Sequence, residues 1–422
     1  MPAPPTRDSQ PPADPYAALR IPAYRALMVG MFGVFLATQI QTTVLGLQVY
    51  ELSRRTLSVG ESAWQVGLVG LAEAIPFLSL TLLGGWASDR WDRRILSIIG
   101  LLGLSSAALW LVVVNLNEAT TTWPFLAVQA VAGAARALFR PAATALGTEL
   151  VPRELYTNAA TWRTNLYQVA TVSGPALGAL LYAEVGAIWT YTVMTGGFVV
   201  GLSAFLVIRS ARRPTPNTAP ILNSLREGIG FVFKNQILLG ALSLDLFAVL
   251  FGGATALIPA FALDVLDAGP ESVGLLRSAP AVGALAMGLW IARKGPFRRA
   301  GVTLFGCVAA FGLTWIGFAL SPYLWLSLAL LAAGGALDSV SIVLRATLVQ
   351  VHTPPELMGR VLAVNSFFIG SSNELGAFES GVAARFLGLV PSVLVGGCLT
   401  IATVGVTAAL TPKLRRLDRV QG

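Results

Sequence analysis

Long apolar runs, separated by short clusters of charged and turn-forming residues, fill the chain from residue 23 to residue 411. A bilayer's hydrocarbon core is about 30 Å thick, and an α-helix needs around 20 apolar residues to cross it. Runs of that length predict helices at 23–50, 63–88, 95–115, 123–149, 159–183 and 186–208. A second set of six follows at 237–263, 271–292, 300–320, 322–350, 360–385 and 388–411, after a polar break that begins "ARRPTPNTAP" at residue 211. Strands of a membrane barrel would alternate in polarity over about ten residues, and these runs do neither. The pattern therefore predicts an all-α membrane protein of twelve transmembrane helices in two six-helix halves, 23–208 and 237–411.

The flanking segments read differently. Residues 1–22 are proline-rich and polar without an apolar centre, which predicts a disordered tail rather than a cleaved signal peptide. The linker, 209–236, contains "ILNSLREGIGFVFK", where Leu222, Leu225, Ile229 and Val232 recur at helical spacing. This predicts an amphipathic helix on the membrane surface, away from any solute. Residues 412–422 form a second short tail.

Composition agrees with a bilayer: 55% of residues are hydrophobic and 12% charged, against about 25% charged in a soluble domain. The net charge of +8 is unevenly spread. With both termini cytoplasmic, inner segments collect Arg90, Arg93, Arg94, Arg153, Arg209, Arg212, Arg213, Arg226, Lys234, Arg360 and most other basic residues, while outer segments hold only Arg54, Arg55 and Arg385. Basic loops remain on the cytoplasmic side, so this orientation in the cell membrane is expected. Topology and an anionic inner leaflet account for the charge without a nucleic-acid partner. The expected partners are the lipid bilayer and a small-molecule solute, with the chain acting as a monomer.

Cys307, Cys398 and the single histidine, His352, cannot build a disulfide framework or a zinc site, so no metal or cofactor is expected. The scarcity of histidine also weighs against an enzyme. No G-x-x-x-x-G-K-[ST] loop is present, so ATP is not the expected energy source.

The chain repeats itself. "VPRELYTNAATWRTNLYQVATVSGPALGALLYAEVG" from residue 151 and "TPPELMGRVLAVNSFFIGSSNELGAFESGVAARFLG" from residue 353 align so that Pro152 meets Pro354, Glu154 meets Glu356, Gly174 meets Gly376 and Gly186 meets Gly388. "GGWASDRWDRR" after the second span has a fainter copy, "GLWIARKGPFRR", after the eighth, without the carboxylate. Two parallel repeats of six helices describe the major facilitator architecture.

Gly85, Asp89, Arg90, Arg93 and Arg94 resemble the major facilitator loop pattern G-x-x-x-D-[RK]-x-G-R-[RK], with Asp92 where that pattern has glycine. "ATVSGPALGA", residues 170–179, resembles the fifth-helix pattern G-x-x-x-G-P-x-x-G-G of drug and metabolite exporters, with Ala170 and Ala179 at the outer glycines. The loops "LVPRELYTNAA" and "TPPELMGRVLAVNS" are most similar to the bacterial enterobactin-exporter-like branch. The resemblance implies a secondary transporter working by alternating access, a proton-coupled exporter of a small amphipathic metabolite, siderophore or drug. An importer or uniporter of the same fold explains all but the Gly-Pro element, and a membrane enzyme explains only the buried acids.

Under that resemblance Asp89 meets the positive N-terminal end of the eleventh helix, near Gly359 and Arg360, and closes the cytoplasmic side. The plain alternative is a positive anchor, which would need the arginines but not the acid. Gly174, Pro175 and Gly178 suit a bend and close helix approach, either as a hinge or as ordinary small-residue packing.

Ionisable residues inside spans are costly and mark function. At about 1.5 Å per residue, Glu73 and Arg277 lie at matching depth, about 22 Å from the inner ends of their helices, and could pair across the halves. Asp338, Ser341 and Arg345 share one face of the tenth helix, and Asp245 on the seventh is placed to pair with Arg345, as a structural or gating pair or in solute contact. Glu374 falls near the midplane, free of basic neighbours on its own helix; it is the first proton-carrier candidate, ahead of Asp338, Asp245 and Glu73. A hydrogen-bonded structural acid is the alternative. Gln39 and Thr43, one turn apart, and Asn373 are candidates to line a solute cavity.

Overall fold

The computed structural model describes residues 14–209, 221–294, 299–354 and 356–418, and every regular element among them is helical. The first half holds α1 (Pro22–Arg54), α2 (Val59–Arg90), α3 (Arg93–Leu116) and α4 (Trp123–Glu149). A single helical run, Tyr156–Val207, leaves helical dihedrals only at Gly186, so α5 covers 156–185 and α6 covers 187–207. The second half holds α7 (Gln236–Gly252, resuming through irregular turns to Val265), α8 (Pro270–Lys294), α9 (Ala300–Leu320), α10 (Leu324–His352), α11 (Met358–Leu387) and α12 (Leu389–Leu410). A linker helix, Ile221–Lys234, precedes α7.

Nine helical stretches among the described residues are long and apolar enough to cross a membrane, and one of them, Arg153–Val207, makes two passes. The other two of the twelve helices are α4, with Arg136 and Arg140, and α11, with Arg360, Glu374, Glu379 and Arg385. Local chemistry sets the ends. Ser58 and Glu61 form a reciprocal cap at the start of α2, the Ser58 amide donating to Glu61 Oε2 at 3.1 Å. Asn235 caps α7 by accepting from the amides of Ile237 and Leu238.

The sequence repeat is a structural repeat. Gly186 and Gly388, which the alignment superposes, have φ of 78° and 92° and make the α5–α6 and α11–α12 turns in a region that side chains avoid. Gly174 of α5 packs on Gln39 of α1, and its counterpart Gly376 of α11 packs on Val249 and Leu250 of α7. Gly133 of α4 lies against the Glu73 backbone of α2, as Gly335 of α10 lies against that of Pro280 in α8. Rows of exposed apolar side chains, such as Leu102, Leu109 and Val113 on α3 and Val395, Leu399 and Val406 on α12, form the belt that lipid would cover.

The apolar core is asymmetric along the helices. One continuous cluster joins Val44, Leu47, Tyr50, Ala63 and Val66 of the first half to Leu257, Ile258, Phe261, Val273, Leu276 and Ala384 of the second. These second-half residues all lie toward the end of the bundle remote from the chain termini, here the far face. Toward the termini face the second half has separate cores, built around Leu244, Leu304 and Leu344 and around Val232, Leu238 and Val361. The two halves thus share buried surface at the far face.

Part of the segment expected to be a disordered N-terminal tail packs on the bundle. Residues 14–20 dock on the start of α5: Trp162 Nε1 donates to the Pro15 carbonyl at 2.9 Å, and Asn158 accepts from the Ala18 amide at 3.2 Å. Tyr16 stacks beside Trp162, so a short aromatic and aliphatic segment within a polar tail finds an apolar partner. The rest of the tail, residues 1–13, lies outside the described residues. The linker helix does not rest on the bilayer alone; Val232 is fully buried against α7 and α11, while Leu222 and Leu225 have side chains outside the description.

Candidate functional site

The far face is closed by matched polar and apolar contacts between the halves. Near the end of α1, Tyr50 donates its hydroxyl to Asp264 at 2.5 Å, and Arg54 Nη2 forms an ion pair with the same carboxylate at 3.0 Å. Asp264 belongs to a π-helical turn, Phe261–Val265, that ends α7. Beside this latch, α2 and α11 cross at Gly67 and Gly381, where a methyl on Gly67 would lie 3.1 Å from the Gly381 Cα. Trp64 packs on Phe378 there and carries Arg385 over its ring. On the opposite flank Gly274 of α8 sits directly on Pro175 and Ala179 of α5.

The termini face is built otherwise. Asp89 is exposed, with no hydrogen bond or ion pair to its carboxylate among the described residues, and a side chain on Gly85 or Gly359 would meet open space. The contact implied between Asp89 and the start of α11 is absent from this conformation. Glu227 of the linker helix pairs with Arg360 instead. The arginines of the loop bind their own half: Arg93 reaches Glu149 of α4 at 2.5 Å and the Ser88 carbonyl at 3.0 Å, and Arg94 donates to the Phe205 and Leu206 carbonyls at the end of α6. Arg90 stacks over Trp86. Asp92 caps α3, accepting from the Arg94 amide at 2.8 Å, with φ of −59°. A negative φ makes glycine unnecessary there, which resolves the departure from the loop pattern.

Between these faces lie two buried polar assemblies, one per half. In the first, Arg136 pairs with Glu73 and donates to Gln41 Oε1 at 3.1 Å; Gln41 donates to Gln129 at 3.1 Å; Gln129 donates to Glu73 Oε2 at 2.6 Å. The four side chains close a ring in which each acceptor oxygen has a donor. Glu73 is therefore committed to Arg136 of its own half, and the expected Glu73–Arg277 pair is not formed. Gly133 is the reason: it lets α4 lie on the α2 backbone at Glu73, one turn from Arg136. In the second half Arg345 pairs with Asp245, and its other terminal nitrogen lies 4.0 Å from Asp338. Asp338 is the looser acid, partly exposed beside Asp245, Ser341, Cys307 and Phe311 in a narrow cleft.

The family model described as Major Facilitator Superfamily matches residues 23–377. The chain belongs to that superfamily. Among its relatives are the multidrug efflux pump Tap of Mycolicibacterium fortuitum, 27% identical over 88% of this chain and 93% of its own, and the enterobactin exporter EntS of Citrobacter koseri, 27% identical over 94% and 93%. A solved auto-inhibited peptide transporter of the POT family shares the fold, with a TM-score of 0.76 and 11% identity over 94% of this chain and 98% of that one. A bacterial homologue of the lysosomal transporter Spinster, solved inward-facing and unoccupied, matches with a TM-score of 0.70 and 16% identity over 94% and 97% of the two chains. This chain is accordingly a transmembrane transporter rather than an enzyme.

The remaining candidates separate in the transporter's fold. Gln39 is half-buried at the α1–α5 contact, whereas Thr43 is fully buried, its hydroxyl without a partner among the described residues. Asn373 is exposed and donates back to the Ile369 carbonyl at 2.8 Å. The Glu374 side chain lies outside the description. Gly174 and Gly178 pack on α1 within their own half, whereas Pro175, Ala176 and Ala179 meet Gly274 of the other. Sequence reading missed Gln129, although its spacing of seven from Arg136 places both on one stripe of α4, and it missed the latch of Tyr50, Arg54 and Asp264. No local signal joins residues more than 200 positions apart.

Proposed function

We propose that this transporter is a proton-coupled exporter that moves a small amphipathic metabolite, siderophore or drug out of the cell across the plasma membrane. The relatives carry the export reading: over 93% of their lengths they align with this chain, and their names are those of an efflux pump and an exporter. The basic residues of the termini face favour a cytoplasmic location for both termini. The sealed far face, and the lack of an Asp89 contact with α11 among the described residues, support reading this conformation as open to the cytoplasm, the state in which an exporter loads. Rocking of the halves, with Pro175 against Gly274 as a pivot and Asp89 meeting α11 in the opposite state, would release the solute outside. The chain acts as a monomer in this reading. Asp338 and Glu374 carry the coupling proton, because Asp245 and Glu73 are each held by an arginine.

The test is transport in sealed vesicles with an imposed pH gradient. Outward solute movement driven uphill by inward proton flow is expected. Movement indifferent to the gradient makes the protein a uniporter, and accumulation in the opposite sense makes it an importer.

A further inference from the structure

We propose that the solute is an organic anion and that Arg277 is the residue that binds its negative group at the roof of the central cavity. The proposal deepens the exporter reading and rests on it. Arg277 sits three residues below Gly274 on α8, one turn toward the termini face from the seal that Gly274 makes with Pro175. At 3.6 residues per turn, Arg277 points about 60° from Gly274, which faces α5, and about 60° on the other side from Pro280, which faces α10. The exposed apolar residues Leu275, Val282 and Leu289 fall on the remaining arc. The guanidinium is therefore directed into the bundle and away from lipid. Across α5 at the same level lies Gln39 of α1, half-buried, held by Gly174 and without a hydrogen bond among the described residues.

No carboxylate neutralises Arg277 among the described residues. Glu73, the acid at matching depth, is taken by Arg136 and Gln129, and Asp245 by Arg345. A cation at this depth requires a counter-charge or water, so it marks a solute path. A second such cation stands nearer the mouth: Arg140 of α4 is exposed, points opposite lipid-facing Val131, and lies over the ring of Phe77, which borders Gly370 of α11 in the other half. Two arginines without ion partners among the described residues, one from each half and both turned to the space between them, favour an anion that enters past Arg140 and seats on Arg277. The matching chemistry is a carboxylate or phenolate on an apolar body, which an arginine fork binds in bidentate fashion while Gln39 supplies a neutral hydrogen bond.

The experiment measures efflux of two probes, carboxyfluorescein as an organic anion and ethidium as an organic cation, from reconstituted vesicles of the full chain. Wild-type protein should move carboxyfluorescein. Arg277→Gln should raise its KM about tenfold or more, the equivalent of losing one charge-assisted contact, and Arg277→Lys should recover part of the loss. Elution of each variant as a single folded species in detergent guards against misfolding, and the lysine variant keeps the test open if the glutamine variant fails that check. Ethidium transport without carboxyfluorescein transport, or a carboxyfluorescein KM changed less than about twofold in both variants, overturns the anion site and leaves the exporter standing. Movement of neither probe under a maintained gradient overturns both.

Discussion

Glu73 illustrates how one side chain's role depends on a neighbour that its own helix does not reveal. Read alone, it is an acid in an apolar span; in the fold it is one corner of a ring closed by Arg136, Gln41 and Gln129. Removing one partner of a buried ion pair strands the other charge and typically costs about 3–5 kcal/mol. Glu73→Ala should therefore lower the unfolding temperature in detergent markedly, while Asn373→Ala, which loses only a bond within its own helix, should leave it unchanged. Asp89 behaves oppositely. Its carboxylate has no partner among the described residues, so Asp89→Asn should not weaken the far-face-closed state. It should depopulate the state in which Asp89 meets α11, and cysteine labelling from the two faces would read an increase in termini-face accessibility. For the coupling acids, Glu374→Gln and Asp338→Asn should each be assayed for uphill and downhill transport. The variant that loses only the uphill activity identifies the proton carrier, since the amide retains shape without titrating.

Among the elements, helix crossings decide which states are reachable. α2 and α11 approach at Gly67 and Gly381, and α5 and α8 at Pro175 and Gly274, so both seals depend on missing side chains. Gly274→Leu would place a branched side chain on the Pro175 carbonyl and the Ala179 methyl. The expected result is a far face that cannot seal, measured as labelling of a cysteine at Gln39 from that face in a background with Cys307 and Cys398 replaced by serine. Element limits were largely legible because apolar length and polar breaks follow local rules. Asp92 shows where pattern matching stops short: the loop pattern asks for glycine, yet an aspartate cap supplies a turn of ordinary φ that needs none. The α7 end was not legible as a functional element. Its apolar run reads as plain helix, and only the fold shows the π-helical turn that presents Asp264 to α1.

For the whole molecule, the latch of Tyr50 and Arg54 on Asp264 is the polar part of a seal whose larger part is apolar. Asp264→Asn keeps a hydrogen-bond partner for Tyr50 but removes the charge that holds Arg54. A partly exposed ion pair contributes about 1 kcal/mol or less, so the closed state should lose a few-fold in population without disappearing. The same cysteine at Gln39 would report this as a modest rise in far-face labelling, and no rise would mean that the apolar cluster alone sets the equilibrium.

Membrane class, twelve helices, their repeat and the basic termini face were determined by sequence alone, because each rests on properties that accumulate along a contiguous stretch: apolar length, residue spacing and local charge. The superposed glycines Gly186 and Gly388 belong here, since a turn that needs positive φ announces itself by residue type. The tertiary structure alone decided which buried charges neutralise each other. Asp245 with Arg345 was readable from depth, but depth equally suggested Glu73 with Arg277, and the choice fell to Arg136 because Gly133 brings α4 onto α2 at Glu73. Pairing inside a bundle is set by which helices touch and at what rotation, and neither quantity is written in any one helix.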